Sequence, residues 1–268
     1  MLDRMRRYAG CRHHLYSSVS SGGGGGFTPA SFGTNLRGWW KADAGTTTVT
    51  NGSSLTSWTD QSTAANDLSN VGTPKFVSST STNALNSLPV MDLTGSNTGW
   101  SATTVTTWSN STVAAFAVRK SVGYLGSATR IFSVYDTTAG NDNGQTAGAF
   151  MTFPDSPDFL VQRNGNTLGT TGVITDNAWS MVGFCLTPGS SASHTWSSNG
   201  TGALTQRASA TDSNGAFCTS PKLLVNSHSP SNGDTNAYLA EMFVLNTAPS
   251  TSDVDNIYSY FNTRWGVT

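Results

Sequence analysis

Short apolar runs recur along the chain, separated by clusters of Gly, Asn, Ser and Asp. LRGWWKADAG, from Leu36, reads as a strand with paired tryptophans closed by a turn, and LTSWTDQSTAANDLSN as a short strand running into a polar loop. LPVMDLTGS, STVAAFAVRK, TRIFSVYD, WSMVGFCLT, SHTWSSNG and PKLLVNSHS continue the series. Within DFLVQRNGNTLGTT, Asn164-Gly165 predicts a hairpin turn between two runs. At least ten short strands with turn residues between them, and no internal repeat of fixed period, predict a two-sheet sandwich.

The last segment breaks this rhythm. Residues Ala237 to Leu245 form an apolar run interrupted only by Glu241. Its two alternating sets, Tyr238/Ala240/Met242/Val244 and Leu239/Phe243/Leu245, are both apolar, which predicts a central strand covered on both faces. Ser250-Thr251-Ser252 then supplies a helix N-cap, with Asp253 in the first turn. Val254, Ile257, Tyr258, Phe261 and Trp265 carry the stripe of a short amphipathic helix, and Gly266 stands where its C-cap belongs.

Composition agrees with the strand reading. Glu occurs once and only 11% of residues are charged, which disfavours a helical protein, while eight Trp and twelve Phe supply a core without disulfides. The cysteines, Cys11, Cys185 and Cys218, are odd in number and lack metal-ligand spacing. Cys185 lies in an apolar run and reads as a small buried hydrophobe; a Cys185–Cys218 bridge is the less favoured alternative. No stretch is long and apolar enough to span a membrane, and no signal-peptide core follows the basic start.

Three segments are expected. Residues 1–21 form a basic arm, 22–33 a glycine-rich linker and lead-in, and 34–268 the sandwich domain. The arm is either a disordered tail or a docking element, and docking is favoured. Arg4, Arg6, Arg7 and Arg12 would supply bidentate pairing, and Leu2, Met5 and Tyr8 burial, against a protein partner. Four arginines without an extended basic face make a small footprint for nucleic acid.

WWKADAG, SWTDQSTAANDLSN, LPVMDLTGS, STVAAFAVRK and the closing AYLAEMFVLNTAPSTSDVDNIYSYFNTRWG, in that order, resemble the concanavalin A-like (laminin-G/pentraxin-type) jelly-roll superfamily over residues 34–268. The arm, glycine spacer and FTPASF lead-in resemble structural proteins of tailed bacteriophages. The fold class expected is therefore all-β: a two-sheet antiparallel jelly-roll sandwich with a short C-terminal helix, preceded by an N-terminal arm.

The superfamily includes glycosidases and lyases, and the resemblance implies that its hydrolases carry alternating acidic residues on one strand face. Here Glu241 has Leu239 and Phe243 two positions away, so that motif is absent and a structural hydrogen bond or salt bridge at the sheet end is expected instead. Asp142, Asp155, Asp158 and Asp234 lie in turn-like segments, His194 and His228 are isolated, and no serine sits in a nucleophile elbow. The expectation is a non-enzyme.

Lectin-like members of the superfamily bind sugars through loop Asp/Asn and an aromatic platform, often with calcium. The candidates are Trp100, Trp108 and Trp196 as platforms with Asp142 and Asp234 as polar partners, whereas Trp39, Trp40, Trp58 and Trp179 read as core. No cofactor is expected; calcium, if bound, would use Asp60, Asp67, Asp142 or Asp234.

The reading that follows is a non-enzymatic virion structural protein, anchored to a capsid or tail shell by residues 1–21 and displaying the sandwich as a decoration or fibre domain. Its partners would be other virion proteins, host surface glycans and further copies of itself, with no nucleic acid and no membrane insertion. The alternatives are a carbohydrate-binding receptor module of a tail or fibre and, disfavoured, a glycan-cleaving enzyme.

Overall fold

The computed structural model describes residues 26–102, 112–123, 130–136, 150–155, 158–163, 166–170, 175–198, 203–212, 221–230, 232–233 and 236–268. A 3-10 turn, Pro29–Asn35, leads into strands β1 (Leu36–Lys41), β2 (Ser57–Trp58), β3 (Leu68–Val71), β4 (Lys75–Val77), β5 (Val90–Asp92) and β6 (Gly99–Ala102). Next come β7 (Val113–Ser121), β8 (Phe132–Asp136), β9 (Phe150–Asp155), β10 (Asp158–Arg163), β11 (Asn166–Thr170) and β12 (Trp179–Leu186). The series ends with β13 (Ser190–Ser197), β14 (Thr205–Asp212), β15 (Pro221–Val225), β16 (Ser227–Ser229), β17 (Asn232–Gly233), β18 (Ala237–Leu245) and helix α1 (Thr251–Trp265).

Two large antiparallel sheets result, as the strand pattern predicts, with β16 and β17 paired apart from them. One runs β14-β13-β12-β7-β18-β5-β4 with β1 also on β18; the other runs β11-β10-β9-β8-β15-β6-β3-β2. Arg163 pairs with Asn166, so only residues 164–165 separate β10 from β11, as the Asn-Gly pair predicts. Trp40, Trp58, Trp100, Phe132, Phe184 and Met242 fill the space between the sheets.

β18 is the central strand and both its faces are covered, but its parity is not a simple alternation. A register shift between Leu239 and Glu241 against β7 changes which face each residue joins. Leu239 therefore packs between the sheets with Met242 and Val244, whereas Ala240 joins Phe243 and Leu245 beneath α1. A bulge of this kind inserts one residue and turns the following side chains over.

α1 caps the first sheet and builds a second core. Ser250 and Asp253 form a reciprocal capping box, an arrangement worth about 1 kcal/mol at the Ncap position, and Gly266 closes the helix in the left-handed region at φ 66°. Val254, Ile257, Phe261 and Trp265 face the sheet and are buried. Beneath them Phe243 and Phe116 stack at 5.4 Å between ring centroids, adding ~0.5–1.5 kcal/mol beyond burial. Gly183 lies opposite Phe116 in the β12–β7 ladder, and a side chain there would run into that ring.

Cys185 belongs to this second core and is a free, buried thiol, so no bridge to Cys218 forms. Burial pushes it from the ordinary 9.0 up to about 11, partly offset by the Thr187 hydroxyl. Because the folded value is raised, the stability linked to the protonated thiol is complete below pH 9 and is lost as pH rises through 11. We expect alkylation of Cys185 in native protein at pH 8 to be negligible by peptide mass mapping. We also expect a loss of up to roughly 3 kcal/mol between those pH values, absent in Cys185→Ala.

Candidate functional site

Glu241 is fully buried and is held by four partners. The bulge aims its carboxylate at α1 and the start of the sheet. Trp39 Nε1 donates to Oε1 at 2.5 Å, Tyr260 Oη donates to the same oxygen at 2.7 Å, and Trp265 Nε1 donates to Oε2 at 2.8 Å. Arg264 Nε lies 3.0 Å from Oε2, and its other arm pairs with Asp43 in the turn after β1. Burial pushes the carboxyl above its ordinary range, against the Tyr260, Trp39 and Trp265 hydrogen bonds and the Arg264 charge.

A phenol hydrogen-bonded to a carboxylate can in principle yield a nucleophilic phenolate. Here burial, followed by the Glu241 charge, pushes Tyr260 far above its ordinary value, so its proton stays in place. The assembly is a clamp that ties β1, β18 and α1 together. It answers the sequence expectation of a structural bond, but it lies at the helix–sheet interface instead of at a sheet end.

Asp60, a calcium candidate, is a second structural knot. Its Oδ1 accepts the backbone N–H groups of Trp39 and Ser62, each at 2.8 Å, while Oδ2 accepts the Ser62 hydroxyl and the Asn66 N–H, also at 2.8 Å. Asp67, the other described candidate, accepts the Asp60 N–H at 2.9 Å. Four donors surround the Asp60 carboxylate where a cation would need bare oxygen, so this loop does not fit calcium. Among the described residues no group of three His, Cys, Asp or Glu is placed to hold a metal.

The tryptophan candidates part company. Trp100 is fully buried between the sheets, 5.6 Å from Trp58, and cannot serve as a sugar platform; its depth corrects that expectation. Trp196 packs on Phe116 at 5.7 Å and is 6% exposed, so its flat face is not open either, although it lines a surface cleft. Trp179, read as core, is half-buried at the edge of the second core. Trp108, Asp142 and Asp234 lie outside the described residues, as do Leu2, Arg4, Met5, Arg6, Arg7, Tyr8 and Arg12.

Two concavities open beside α1. A groove of about 570 Å³ runs along its outer side between Phe27, Leu88, Asn256, Ser259, Thr263 and Arg264, with Tyr260 at its floor. The phenol and guanidinium in this groove are already committed to Glu241 and Asp43. A smaller cleft of about 230 Å³ lies near the N-terminal end of α1, where β13 and β14 meet the helix. Its wall is Trp196, Leu204, Pro249 and Val254, and its polar groups are His194, Gln206, Thr251 and Asp255. Burial lowers His194 from its ordinary value, leaving the imidazole neutral near pH 7. The residues of this cleft other than Trp196 carried no signal in sequence, because they come from three separate segments.

No family model and no curated protein matches the sequence. Solved structures match its fold. A GH54 α-L-arabinofuranosidase soaked with a cyclic sulfate inhibitor superposes with a TM-score of 0.57 at 14% identity, over 77% of this chain and 50% of that one. Domain 4 of AbnA, a GH43 extracellular arabinanase from Geobacillus stearothermophilus, in complex with arabinotriose, gives 0.50 at 13% identity over 84% and 98%. Trypanosoma rangeli sialidase gives 0.57 at 12% identity over 88% and 34%. The chain thus spans about half of the arabinofuranosidases and a third of the sialidases it matches.

At these identities the likeness is one of fold, and it bears out the β-sandwich side of the superfamily resemblance. It also corrects the expected function. The sandwiches named here belong to glycosidases or are a domain of one, and none of them is a virion structural protein, so the expected virion role is withdrawn. The expectation of a non-enzyme falls with it, since catalytic proteins share the architecture.

Proposed function

We propose that the described domain binds carbohydrate, as a sandwich of the type found within glycoside hydrolases. The observation that carries this reading is the match to the arabinanase domain described in complex with arabinotriose, which this chain covers over 98% of that domain's length. The polar and apolar lining of both concavities beside α1 suits neutral polyhydroxylated ligands, which need a flat apolar wall and a few converging hydrogen-bond groups.

Isothermal titration of the full chain with arabinotriose and with a panel of plant and animal oligosaccharides tests it. A Kd on the order of 0.1–1 mM for at least one neutral oligosaccharide is expected, equivalent to roughly −4 to −5.5 kcal/mol. Absence of heat across the panel at millimolar ligand overturns the reading.

Cleavage is a second reading, favoured by the hydrolases among the fold's relatives. Glycoside hydrolysis ordinarily needs two carboxyl groups roughly 5–9.5 Å apart flanking the scissile bond. Glu241 is closed off by its four partners, so cleavage would have to run through other carboxylates. Reducing ends appearing in the same incubations would establish it.

A further inference from the structure

We propose that the cleft between β13, β14 and the start of α1 is a subsite for one neutral sugar ring, and this rests on the carbohydrate reading above. At about 230 Å³ it falls below the ~300–1,000 Å³ of pockets that enclose larger ligands, a size that suits a single ring. Its composition is that of a sugar site. Leu204, Pro249, Val254 and the small exposed rim of Trp196 supply an apolar wall, and His194, Gln206, Thr251 and Asp255 ring it with donors and acceptors.

Two features separate this cleft from the larger groove. His194 is half-buried, and its Nδ1, which has no hydrogen-bond partner, is closed to solvent. A sugar hydroxyl would meet that atom only with the imidazole turned toward the cleft, where the bond would relieve the cost of an unpaired buried polar atom. The polar groups at the floor of the groove, by contrast, are spent on Glu241 and Asp43. The Gln206 amide and the Asp255 carboxylate, both on exposed residues, can receive and donate to neighbouring hydroxyls of one ring, the amide as donor and acceptor and the carboxylate as acceptor. His194 and Trp196 are two residues apart on β13, with rings 5.6 Å apart, so the strand fixes wall and polar group together.

The test is a ¹⁵N-resolved NMR titration of the full chain with L-arabinose, D-galactose and arabinotriose. The variants are Gln206→Ala/Asp255→Ala for the cleft and Asn256→Ala/Ser259→Ala for the groove; all four positions are exposed. Shifts centred on residues 194–196 and 251–255, and a loss of about ten-fold in monosaccharide affinity in the cleft variant alone, are expected. Unchanged binding in the cleft variant, with loss in the groove variant or in neither, overturns the subsite and leaves the carbohydrate reading standing. No binding of any of the three sugars by the unmodified chain, together with silence in the oligosaccharide panel, overturns both.

Discussion

Glu241→Ala is expected to lower the free energy of unfolding by about 3–5 kcal/mol in a denaturant titration, with the midpoint moving and the slope unchanged. The size follows from what the carboxylate leaves behind. Trp39 Nε1, Tyr260 Oη and Trp265 Nε1 all donate to it, and removal strands these donors in the interface between sheet and helix, where each unmet group costs ~1–3 kcal/mol. Arg264 keeps Asp43 and is partly solvated, so it recovers part of the loss. Glu241→Gln should cost less, because the amide oxygen still accepts, while its NH2 must face an indole or phenol donor. A loss under about 0.5 kcal/mol for the alanine variant would show that the clamp is not what holds α1 to the sheet.

The second large effect concerns Trp100. Trp100→Ala should cost about 3–5 kcal/mol, since the indole is fully enclosed beside Trp58 and its loss leaves a cavity between the sheets. Trp100→Phe should cost much less, because Nε1 has no hydrogen-bond partner to lose. Affinity for any oligosaccharide that the chain binds should be unchanged in the phenylalanine variant. A platform residue would behave oppositely, with stability kept within about 0.5 kcal/mol and binding lost.

The sequence makes the sandwich legible because long strands such as Val113–Ser121 and Trp179–Leu186 carry near-continuous apolar runs, buried on both faces. It hides strands such as Leu68–Val71, Lys75–Val77 and Gly99–Ala102, which are three or four residues long and carry few apolar positions. Trp100 is hidden for that reason: GWSA looks like loop chemistry, and only the pairing of β6 with β3 and β15 shows its depth. The helix reads well from its caps and stripe, yet Tyr260 and Arg264 escape the stripe because they reach sideways to Glu241 and to Asp43 in the turn after β1, and not straight down. The β18 bulge left no trace in an apolar alternation that tolerates either parity. His194, Gln206 and Asp255 meet only because β13 and β14 lie beside the start of α1, a fact of topology and not of spacing.

β1 and β18 pair with Leu36 opposite Leu245, and Phe27 packs against Tyr260 at 6.4 Å between ring centroids. The first and last described segments are therefore neighbours, although more than two hundred residues of chain separate them. Polypeptide continuing from either side would leave from one patch of the surface. Such a unit can be spliced into a surface loop of a larger protein without prising the host's two halves apart, and its own ends can be joined by a short linker and reopened elsewhere.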